Sequence, residues 1–501
     1  MQRVLTSYGI GKACRHATTI DVLQDDVLLE IFDFCRRNYD LELHWYPDVV
    51  WKWHILVHVC RRWRHIMFAS PLRLNLRIPC TQGTPVRKSL DIWPTFPIVI
   101  VYPRFRNGRF HDLESTDEDN VIAALEHNSR VCELRLEVTG AQLGRIATVM
   151  QQPFPALTYL VLRSKDRNVQ VLPGQFFGRS VPCLRQIELH GIPFPALPML
   201  LLSASDLTAL TLHGIPQTGY ISPEAMVASL ATLTRLSDLS IGFRSPKSRP
   251  DEIRLPPTTR TVLPALTHFE FRGVCEYLDD LAARIDAPRL DVIRIAYLNQ
   301  LVDFEVPQVS RIIDHSEVLK PPMDCSLLFE DDHVFFWAVP SETPKSDDPQ
   351  SYILINVSIL CEGKDWQIAH LTMVLSQISI VSSNVVNLAI DADADLSPLI
   401  PQPEDEDIDD IDWLQFLSLF SSVQRLGVAT TFSGHISRAL EVIADRMMAT
   451  EVLPALDTLT LQGQSVSSVD KFITARRDSG RPVTVVDARW NNGEESTVRP
   501  I

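Results

Sequence analysis

A short pattern of apolar residues recurs along most of this 501-residue chain and constrains its fold more than any other feature. Each copy consists of an apolar residue, any two residues, a second apolar residue, any one residue and a third apolar residue. Clear copies begin 27, 23, 29, 30 and 24 residues apart, at Leu157, Leu184, Leu207, Leu236, Leu266 and Leu290. Further copies begin at Val131, Val385, Val423 and Leu456. The alternation within each copy predicts a strand, and the period predicts an array of structural repeats.

The segments between these strands predict helices. Ser222 precedes Pro223 and Glu224, which is the order of an N-cap residue, a proline at the first helical position and an acidic residue in the first turn. Other amphipathic helices are predicted at residues 277–285, 368–376, 411–420, 435–448 and 469–477. One strand and one helix per repeat predict an α/β fold, with a curved parallel sheet on the inside and helices on the outside.

The repeat period resembles that of leucine-rich repeats. Regular repeats of that family place an asparagine or a cysteine three residues after the last apolar residue of the strand. This chain has other residues at that position: Lys165, Ile192, Ile215, Arg244, Val274, Leu298 and Gln464. The resemblance therefore implies an irregular leucine-rich-repeat solenoid over residues 131–490, without an asparagine ladder.

Residues 301–365 have the least regular pattern within this array. Strands are predicted at residues 327–329, 334–339 and 352–360, with an exposed polar loop at residues 341–350. An insertion into the array is one interpretation of this region.

Two amphipathic helices are predicted before the array, within residues 20–71. The first, over residues 23–35, has acidic residues at its start and apolar residues at helical spacing: Asp25 and Asp26, then Val27, Leu28, Ile31, Phe32 and Cys35. The second, over residues 53–66, has an apolar stripe with basic residues opposite, made of Leu56, Val59, Cys60, Trp63 and Ile66. Pro71 ends the segment.

These helices resemble the F-box, whose outline is a leucine-proline helix start, an Ile-Phe helix and a closing Val-Cys-x-x-Trp helix. The matching residues are Leu23, Ile31, Phe32, Val59, Cys60 and Trp63. Gln24 stands where the family has proline, and residues 36–50 resemble an insertion. The resemblance implies docking on the Skp-family adaptor of a cullin-RING ubiquitin ligase, with adaptor-facing or module-core residues Leu23, Val27, Leu28, Ile31, Phe32, Val59, Cys60, Trp63 and Ile66. The alternative is a helical module that packs only on its own chain.

Residues 72–130 are expected to form a linker or cap between the helical module and the array. Strands are predicted at residues 72–78 and 96–102, a loop at residues 105–117 and a helix at residues 118–127. Residues 1–19 and 491–501 are expected to be tails.

One face of the predicted sheet is expected to be wet, because strand residues alternate between a buried and an exposed face. The expected exposed residues are Tyr159, Val161, Arg163, Gln186, Glu188, His190, Ala209, Thr211, His213, Asp238, Ser240, His268, Glu270, Arg272 and Arg294. This mixture of charge, histidine and an aromatic residue suits contact with a protein. We expect a substrate-binding surface that contains Tyr159, Arg163, Glu188, His190, His213, His268, Glu270, Arg272 and Arg294. The alternatives are a polar face without a ligand and binding by loops at the repeat edges.

Composition narrows the classes of partner. The chain has 62 acidic and 47 basic residues and a net charge of -15, which argues against a nucleic-acid partner. Its nine cysteines contain no Cys-x-x-Cys pair, which favours a reduced intracellular chain over a disulfide scaffold or a zinc site. Residues 1–19 lack the apolar core of a signal peptide, and no segment is long enough to cross a bilayer. The expected location is the cytoplasm or the nucleus, with no membrane partner.

The common catalytic and cofactor motifs are missing from the sequence, so we expect neither an enzyme nor a cofactor. His54 and His58 lie one helical turn apart, but no further ligands follow at metal-binding spacing. We interpret them, with His65, as the polar flank of a helix. The acidic run at residues 404–412 is interpreted as a solvated loop that precedes a helix, rather than as a cation site.

A helical docking module followed by a leucine-rich array resembles the F-box proteins that act as substrate receptors. The resemblance implies a non-catalytic substrate-recognition subunit of an SCF-type ubiquitin ligase. Such a subunit binds a Skp-family adaptor and through it a cullin, while its repeats bind a target protein whose identity the sequence does not specify. The alternative is a leucine-rich-repeat interaction scaffold that acts outside any ubiquitin ligase.

Overall fold

The computed structural model describes residues 20–40, 53–70, 73–74, 76–80, 86–92, 96–102, 104–106, 109–111, 115–167, 169–245, 260–298, 307–330, 332–340, 353–361, 364–392, 410–462 and 466–487. The expectations for the two tails, the polar loop at residues 341–350 and most of the acidic run at residues 404–412 lie outside these residues. The chain divides into two compact units, Met1–Cys132 and Glu133–Ile501.

The first unit begins with helices. A 3-10 turn at Ile20–Val22 leads into helix α1 (Asp25–Asp40), which is followed by α2 (Trp53–Val59) and α3 (Arg61–Ala69). The prediction of one continuous helix over residues 53–66 is wrong, because the backbone of Cys60 is extended, with φ −154°. The sulfur of Cys60 accepts a hydrogen bond from the backbone N–H of Trp63 and so caps a new helix. The apolar spacing continues across this break, which hides it from the sequence pattern.

The rest of the first unit mixes short strands and helices. Its elements are β1 (Ile78–Cys80), α4 (Val86–Ile92), β2 (Ile98–Tyr102), β3 (Arg104–Arg106), β4 (Arg109–His111) and α5 (Ser115–Leu125). Strands β1 and β2 pair in parallel, and β3 and β4 form an antiparallel hairpin. The predicted strand at residues 96–102 and the predicted helix at residues 118–127 are confirmed by β2 and α5.

Two predictions for this unit are wrong. Among the described residues of the strand predicted at residues 72–78, only Ile78 lies in a strand, although Leu74 and Leu76 are both buried. The alternating pattern there reflects the burial of two leucine side chains and not the pairing of a strand. The loop predicted at residues 105–117 contains part of the β3–β4 hairpin and the start of α5.

The second unit is α/β, with a large and mostly parallel sheet. Its strands are β5 (Val131–Val138, which starts in the first unit), β6 (Tyr159–Ser164), β7 (Gln186–His190), β8 (Ala209–Ile215), β9 (Asp238–Phe243), β10 (Thr261–Val262), β11 (His268–Gly273), β12 (Ile285–Asp286), β13 (Val292–Tyr297), β14 (Asp324–Phe329), β15 (His333–Val339), β16 (Ile355–Leu360), β17 (Asn387–Ala392), β18 (Arg425–Val428), β19 (Thr458–Leu461) and β20 (Thr484–Asp487). Every copy of the apolar pattern predicted a strand that is present. The second and third apolar residues of each copy are at most 4% exposed.

Helices connect most of the strands. They are α6 (Gly140–Val149), α7 (Leu197–Leu201), α8 (Pro223–Leu230), α9 (Cys275–Arg284), α10 (Pro307–Asp314), α11 (Lys364–Ser376), α12 (Ser379–Ser382), α13 (Asp410–Ser418), α14 (Thr430–Asp445) and α15 (Asp470–Asp478). All the helices predicted for the array are confirmed. The predicted cap is present as well, since the hydroxyl of Ser222 accepts a hydrogen bond from the N–H of Ala225 at 3.3 Å.

The parallel strands pair in register, which places equivalent apolar residues of successive repeats side by side. One continuous row consists of Leu134, Leu160, Ile187, Leu210, Leu239, Phe269 and Ile293. Helices cover this side of the sheet. The ring of Tyr277 in α9, for example, stacks on Phe271 of β11 at 5.9 Å and packs edge-on against Phe243 of β9 at 4.7 Å. The residues of opposite parity form the second face of the sheet.

An antiparallel meander interrupts the parallel order. In the sheet, β13 is followed by β16, β15, β14 and then β17, so the three middle strands run in reverse chain order. Strand β15 is antiparallel to both of its neighbours, whereas β16 is parallel to β13 and β14 is parallel to β17. The three strands predicted in this region are confirmed. The apolar face nevertheless continues through the meander, since Val334, Phe336 and Ala338 are all fully buried.

A buried arginine holds the last helix of the second unit in place. Arg476 in α15 is only 1% exposed and donates hydrogen bonds to the carbonyl oxygens of Leu456 at 2.6 Å and Ala449 at 3.1 Å.

We expect Arg476→Met to lower the free energy of unfolding by about 2–4 kcal/mol, because the buried carbonyls lose a charged donor. Urea denaturation measures this change.

The matched control is Arg477→Met, because Arg477 follows in the same helix and is exposed. Its effect should stay within about 0.5 kcal/mol. Equal effects of the two substitutions would contradict a structural role for Arg476.

Candidate functional site

The helical module of the first unit has a small core of its own. Leu28, Phe32 and Ile66 are at most 4% exposed. The rings of Phe32 in α1 and Trp63 in α3 pack edge-to-face with their centroids 4.8 Å apart. Phe32 and Trp63, both predicted for the adaptor surface or the module core, therefore connect α1 to α3.

Polar contacts fix the start of α1 against α3. The guanidinium of Arg62 lies 2.6 Å from a carboxylate oxygen of Asp25 and also donates to the backbone oxygen of Leu23 at 2.5 Å. Further along α1, Arg73 lies 2.9 Å from Glu30. The acidic first turn thus has a structural partner as well as a favourable interaction with the helix dipole.

Other apolar residues of the module remain exposed. Val27, Ile31 and Phe34 are 43%, 36% and 65% exposed, and their spacing of four and three residues places them on one stripe of α1. In α2, Ile55 and Val59 are 50% and 56% exposed and lie one turn apart. Exposed apolar side chains at this helical spacing are typical of a surface that binds a partner.

The structure separates the nine residues predicted for this module into groups. Leu28, Phe32 and Ile66 are buried, and Val27, Ile31 and Val59 are exposed, whereas Leu23, Cys60 and Trp63 are half-buried. The sequence analysis missed Phe34 and Ile55. Phe34 follows Ile31 by three residues and Ile55 precedes Val59 by four, so helical spacing alone could have identified both.

In the second unit, the face opposite the helices carries the predicted substrate-binding residues. All nine are half-buried or exposed, and of the wider set predicted for this face only Val161 is buried, at 7% exposure. The register arranges them in cross-strand rows. The first row contains Tyr159, Gln186, Ala209, Asp238 and His268; the second contains Val161, Glu188, Thr211, Ser240, Glu270 and Arg294; the third contains Arg163, His190 and His213.

An ion-pair network lies at the centre of this face. The carboxylate of Glu188 is 2.6 Å from the guanidinium of Arg163 and 2.7 Å from the Nε2 atom of His190. Burial alone would raise the pKa of Glu188, but the hydrogen bonds from His190 and Arg163 outweigh it and lower the pKa to about 2. Glu188 is therefore ionised at neutral pH, and it already engages the side chains of Arg163 and His190.

His213 lies next to this network. Its ring packs edge-on against His190 with centroids 4.9 Å apart, and its Nε2 atom is 2.6 Å from the hydroxyl of Ser240. Burial lowers the pKa of His213, and the neighbouring His190 adds to this effect, although Glu270 opposes it. At neutral pH His213 is therefore an uncharged hydrogen-bonding group.

The face also includes residues of β5 that the sequence analysis missed. The guanidinium of Arg135 lies over the ring of Tyr159, 4.3 Å from its centroid, and is 2.8 Å from the carboxylate of Glu133. Burial raises the pKa of Tyr159, so its hydroxyl remains protonated. Since Val131 begins a copy of the pattern, the same alternation could have added Glu133 and Arg135.

The structure also groups possible cation ligands that the sequence analysis did not identify. Among the described residues, the side-chain ligand atoms of Glu330, Asp332 and His333 lie within 4.8 Å of one another at the turn between β14 and β15. None of these three residues is buried. Neither His58 nor His65, which were interpreted as a polar flank, belongs to this group, and both are exposed.

No protein-family model matches the sequence, and no curated protein matches it. In the described part of the chain, no helix combines the length and the apolar character needed to cross a bilayer.

Acid should destabilise the second unit through His213. Between its lowered pKa and the ordinary value of 6.5, the unfolded chain binds a proton that the folded chain excludes. The free energy of unfolding therefore decreases as the pH falls through this window. His213→Asn removes the titrating group, so the free energy of unfolding of this variant should depend less on pH within this window. Urea unfolding over a series of pH values measures this dependence.

His268→Asn is the matched control, because His268 is an exposed histidine on the same face. The free energy of unfolding of this variant should depend on pH as strongly as that of the unsubstituted protein. If the His213→Asn variant showed the same dependence on pH, protonation of His213 would not be the cause of the acid destabilisation.

Proposed function

We propose that this protein is the substrate-recognition subunit of an SCF-type ubiquitin ligase. The observation that carries the proposal is the division of the helical module into a buried core and an exposed apolar stripe. Leu28, Phe32 and Ile66 stabilise the module, which leaves Val27 and Ile31 available to a partner. The resemblance of these helices to the F-box supports a Skp-family adaptor as that partner, and through it a cullin.

We further propose that the second unit is an irregular leucine-rich-repeat solenoid that binds the target protein. The in-register parallel strands and the recurring strand–helix unit support this proposal. The polar face from β6 to β13 presents side chains of both charges together with histidine and tyrosine, a composition that suits a protein ligand.

In this proposal the chain performs no bond chemistry. It holds a target protein close to the ubiquitin-transfer machinery and so raises the effective concentration of the target lysine. Neither a cofactor nor a nucleic acid takes part, and the complex acts in the cytoplasm or the nucleus.

A second candidate is a leucine-rich-repeat scaffold outside any ligase, whose helical module serves only its own chain. The ion pairs of Arg73 with Glu30 and Asp26 favour this candidate, because they fasten α1 to residues that follow α3. Exposed ion pairs contribute little free energy, however, and they leave the apolar stripe of α1 uncovered.

The test is the double variant Ile31→Asp with Val59→Asp, assayed for binding to purified Skp-family adaptor. Both side chains are exposed, so the helical content and the melting temperature should not change. Each charge would replace an apolar side chain in the complex, and we expect the dissociation constant to rise more than about 100-fold. Calorimetry or a pull-down of the full chain measures the loss.

His58→Asp is the matched control, because His58 is exposed, lies next to Val59 and receives the same new residue. It should bind the adaptor with an affinity within a few-fold of the original. If the original protein does not bind the adaptor at micromolar concentration, the scaffold is the correct interpretation.

A further inference from the structure

A row of small side chains connects a cationic group to an aromatic group on the polar face of the sheet. The register pairs Arg272 of β11 with Ala296 of β13, Ala296 with Ser358 of β16, and Ser358 with Phe335 of β15. We call these four residues the lane. All four point to the face opposite the helices and are half-buried or exposed.

The aromatic end of the lane belongs to a stack of three rings. His333, Phe335 and Trp337 alternate along β15 on the same face, and all are half-buried. The ring of Phe335 stacks against His333 at 5.7 Å and 13°, and against Trp337 at 5.7 Å and 12°. Because neighbouring rings cover both faces of Phe335, its edge is left for a ligand.

A ring edge prefers apolar and aromatic groups, which it meets in edge-to-face contacts. A sugar or a nucleobase instead stacks on a free ring face, which the middle ring does not offer. The net charge of -15 is a further argument against a nucleic acid. The aromatic end therefore fits an apolar side chain of a peptide.

The cationic end is exposed and open. The guanidinium of Arg272 forms neither a hydrogen bond nor an ion pair with any residue in the described part of the chain. Gly242 of β9 is the cross-strand neighbour of Arg272, and a Cβ added at Gly242 would lie 3.5 Å from the Cβ of Arg272 and 3.6 Å from the ring of His213. Arg272 and His213 therefore flank a strand position that has no side chain.

Neighbouring charges do not cancel this cation. Glu270 is on the same face of β11, but the register places it opposite Arg294. Glu188, three strands away on β7, is held by Arg163 and His190. Arg272 therefore favours an anionic side chain at this end.

The length of the lane sets the spacing of its ligand. Three steps between neighbouring strands separate Arg272 from Phe335, which is about 14 Å at about 4.8 Å per step. An extended peptide advances about 3.4 Å per residue, so it covers this distance in about four residues. Ala296 and Ser358 are small enough to leave room for a backbone between the two ends.

We infer that the lane binds an extended peptide with an anionic side chain at Arg272 and an apolar side chain at Phe335, about four residues apart. This inference rests on the proposed function only in taking the sheet face as the target-binding surface. The anion is a carboxylate or a phosphate, both of which a guanidinium binds through paired hydrogen bonds.

The test measures binding of fluorescein-labelled peptides to the full chain without adaptor. The parent peptide contains a glutamate and, four residues later, a phenylalanine, separated by serine and alanine. A first series varies the separation from one to eight residues and needs no protein variant. We expect the highest affinity at separations of three to five residues. Equal affinity at all separations would overturn the inference.

A second series changes the anion to glutamine or to phosphoserine. Glutamine should weaken binding about tenfold or more, because a charge-assisted hydrogen bond is lost. If phosphoserine binds more tightly than glutamate, the natural ligand is phosphorylated; if it binds no better, the ligand is acidic. Glutamine that binds as well as glutamate would contradict an anion site.

Protein variants assign each end of the peptide to its position on the sheet. Arg272→Ala should weaken binding of the glutamate peptide about tenfold but leave binding of the glutamine peptide unchanged. Arg235→Ala is the matched control, because Arg235 is exposed and pairs with Asp206 away from the lane. Phe335→Ser should weaken the binding of peptides that contain phenylalanine, but not the binding of peptides that have alanine in its place.

Phe335→Ser could also disturb β15, so the separation series on the unsubstituted protein remains decisive. Adaptor binding is measured on the same samples. A chain that binds the adaptor but shows no preference for the peptide pattern would overturn the lane and leave the proposed function in place. A chain that binds the peptides with the expected preference but does not bind the adaptor would overturn the proposed function and leave the lane in place.

Discussion

The register of the parallel ladder is the constraint on which the rest of the second unit depends. Side chains alternate between the two faces of a strand, so a shift of one residue would exchange the buried and the exposed sets. The row from Leu134 to Ile293 keeps the apolar side chains of successive repeats aligned beneath the helices. The same register aligns the charged network and the lane on the opposite face. Stability and the arrangement of the candidate binding surface therefore have a common origin.

Local patterns predicted the repeat strands and helices because each unit buries its own apolar residues against its neighbours. They failed where the outcome depends on distant pairing. Leu74 and Leu76 alternate with polar residues as in a strand, but they do not pair with another strand. The reversed order of β14, β15 and β16 cannot be predicted from the sequence of any one of those segments. The break at Cys60 was hidden because the apolar spacing continues through it. Phe34 was missed although its spacing on α1 was available.

The two candidate surfaces use different physical means. The helical module separates a buried core around Phe32 from an exposed apolar stripe, so in the proposed complex burial of that stripe would supply the driving force for binding. On the sheet face, Glu188 forms an ion pair with Arg163 and a hydrogen bond with His190, whereas Arg272 has no hydrogen bond or ion pair with the described residues. Paired charges stabilise the chain itself, and an open charge is available to a ligand. The sequence showed which residues share the sheet face, but only the side-chain contacts distinguish these two roles.

Site-specific photo-crosslinking tests the central claim, that the exposed stripe of α1 binds the adaptor, most directly. A photo-reactive amino acid would replace Phe34 in one sample and Trp337 in another, and each would be irradiated with purified Skp-family adaptor. We expect crosslinked adaptor from position 34 and none from position 337. Adaptor captured equally from both positions, or captured from neither, would contradict the account.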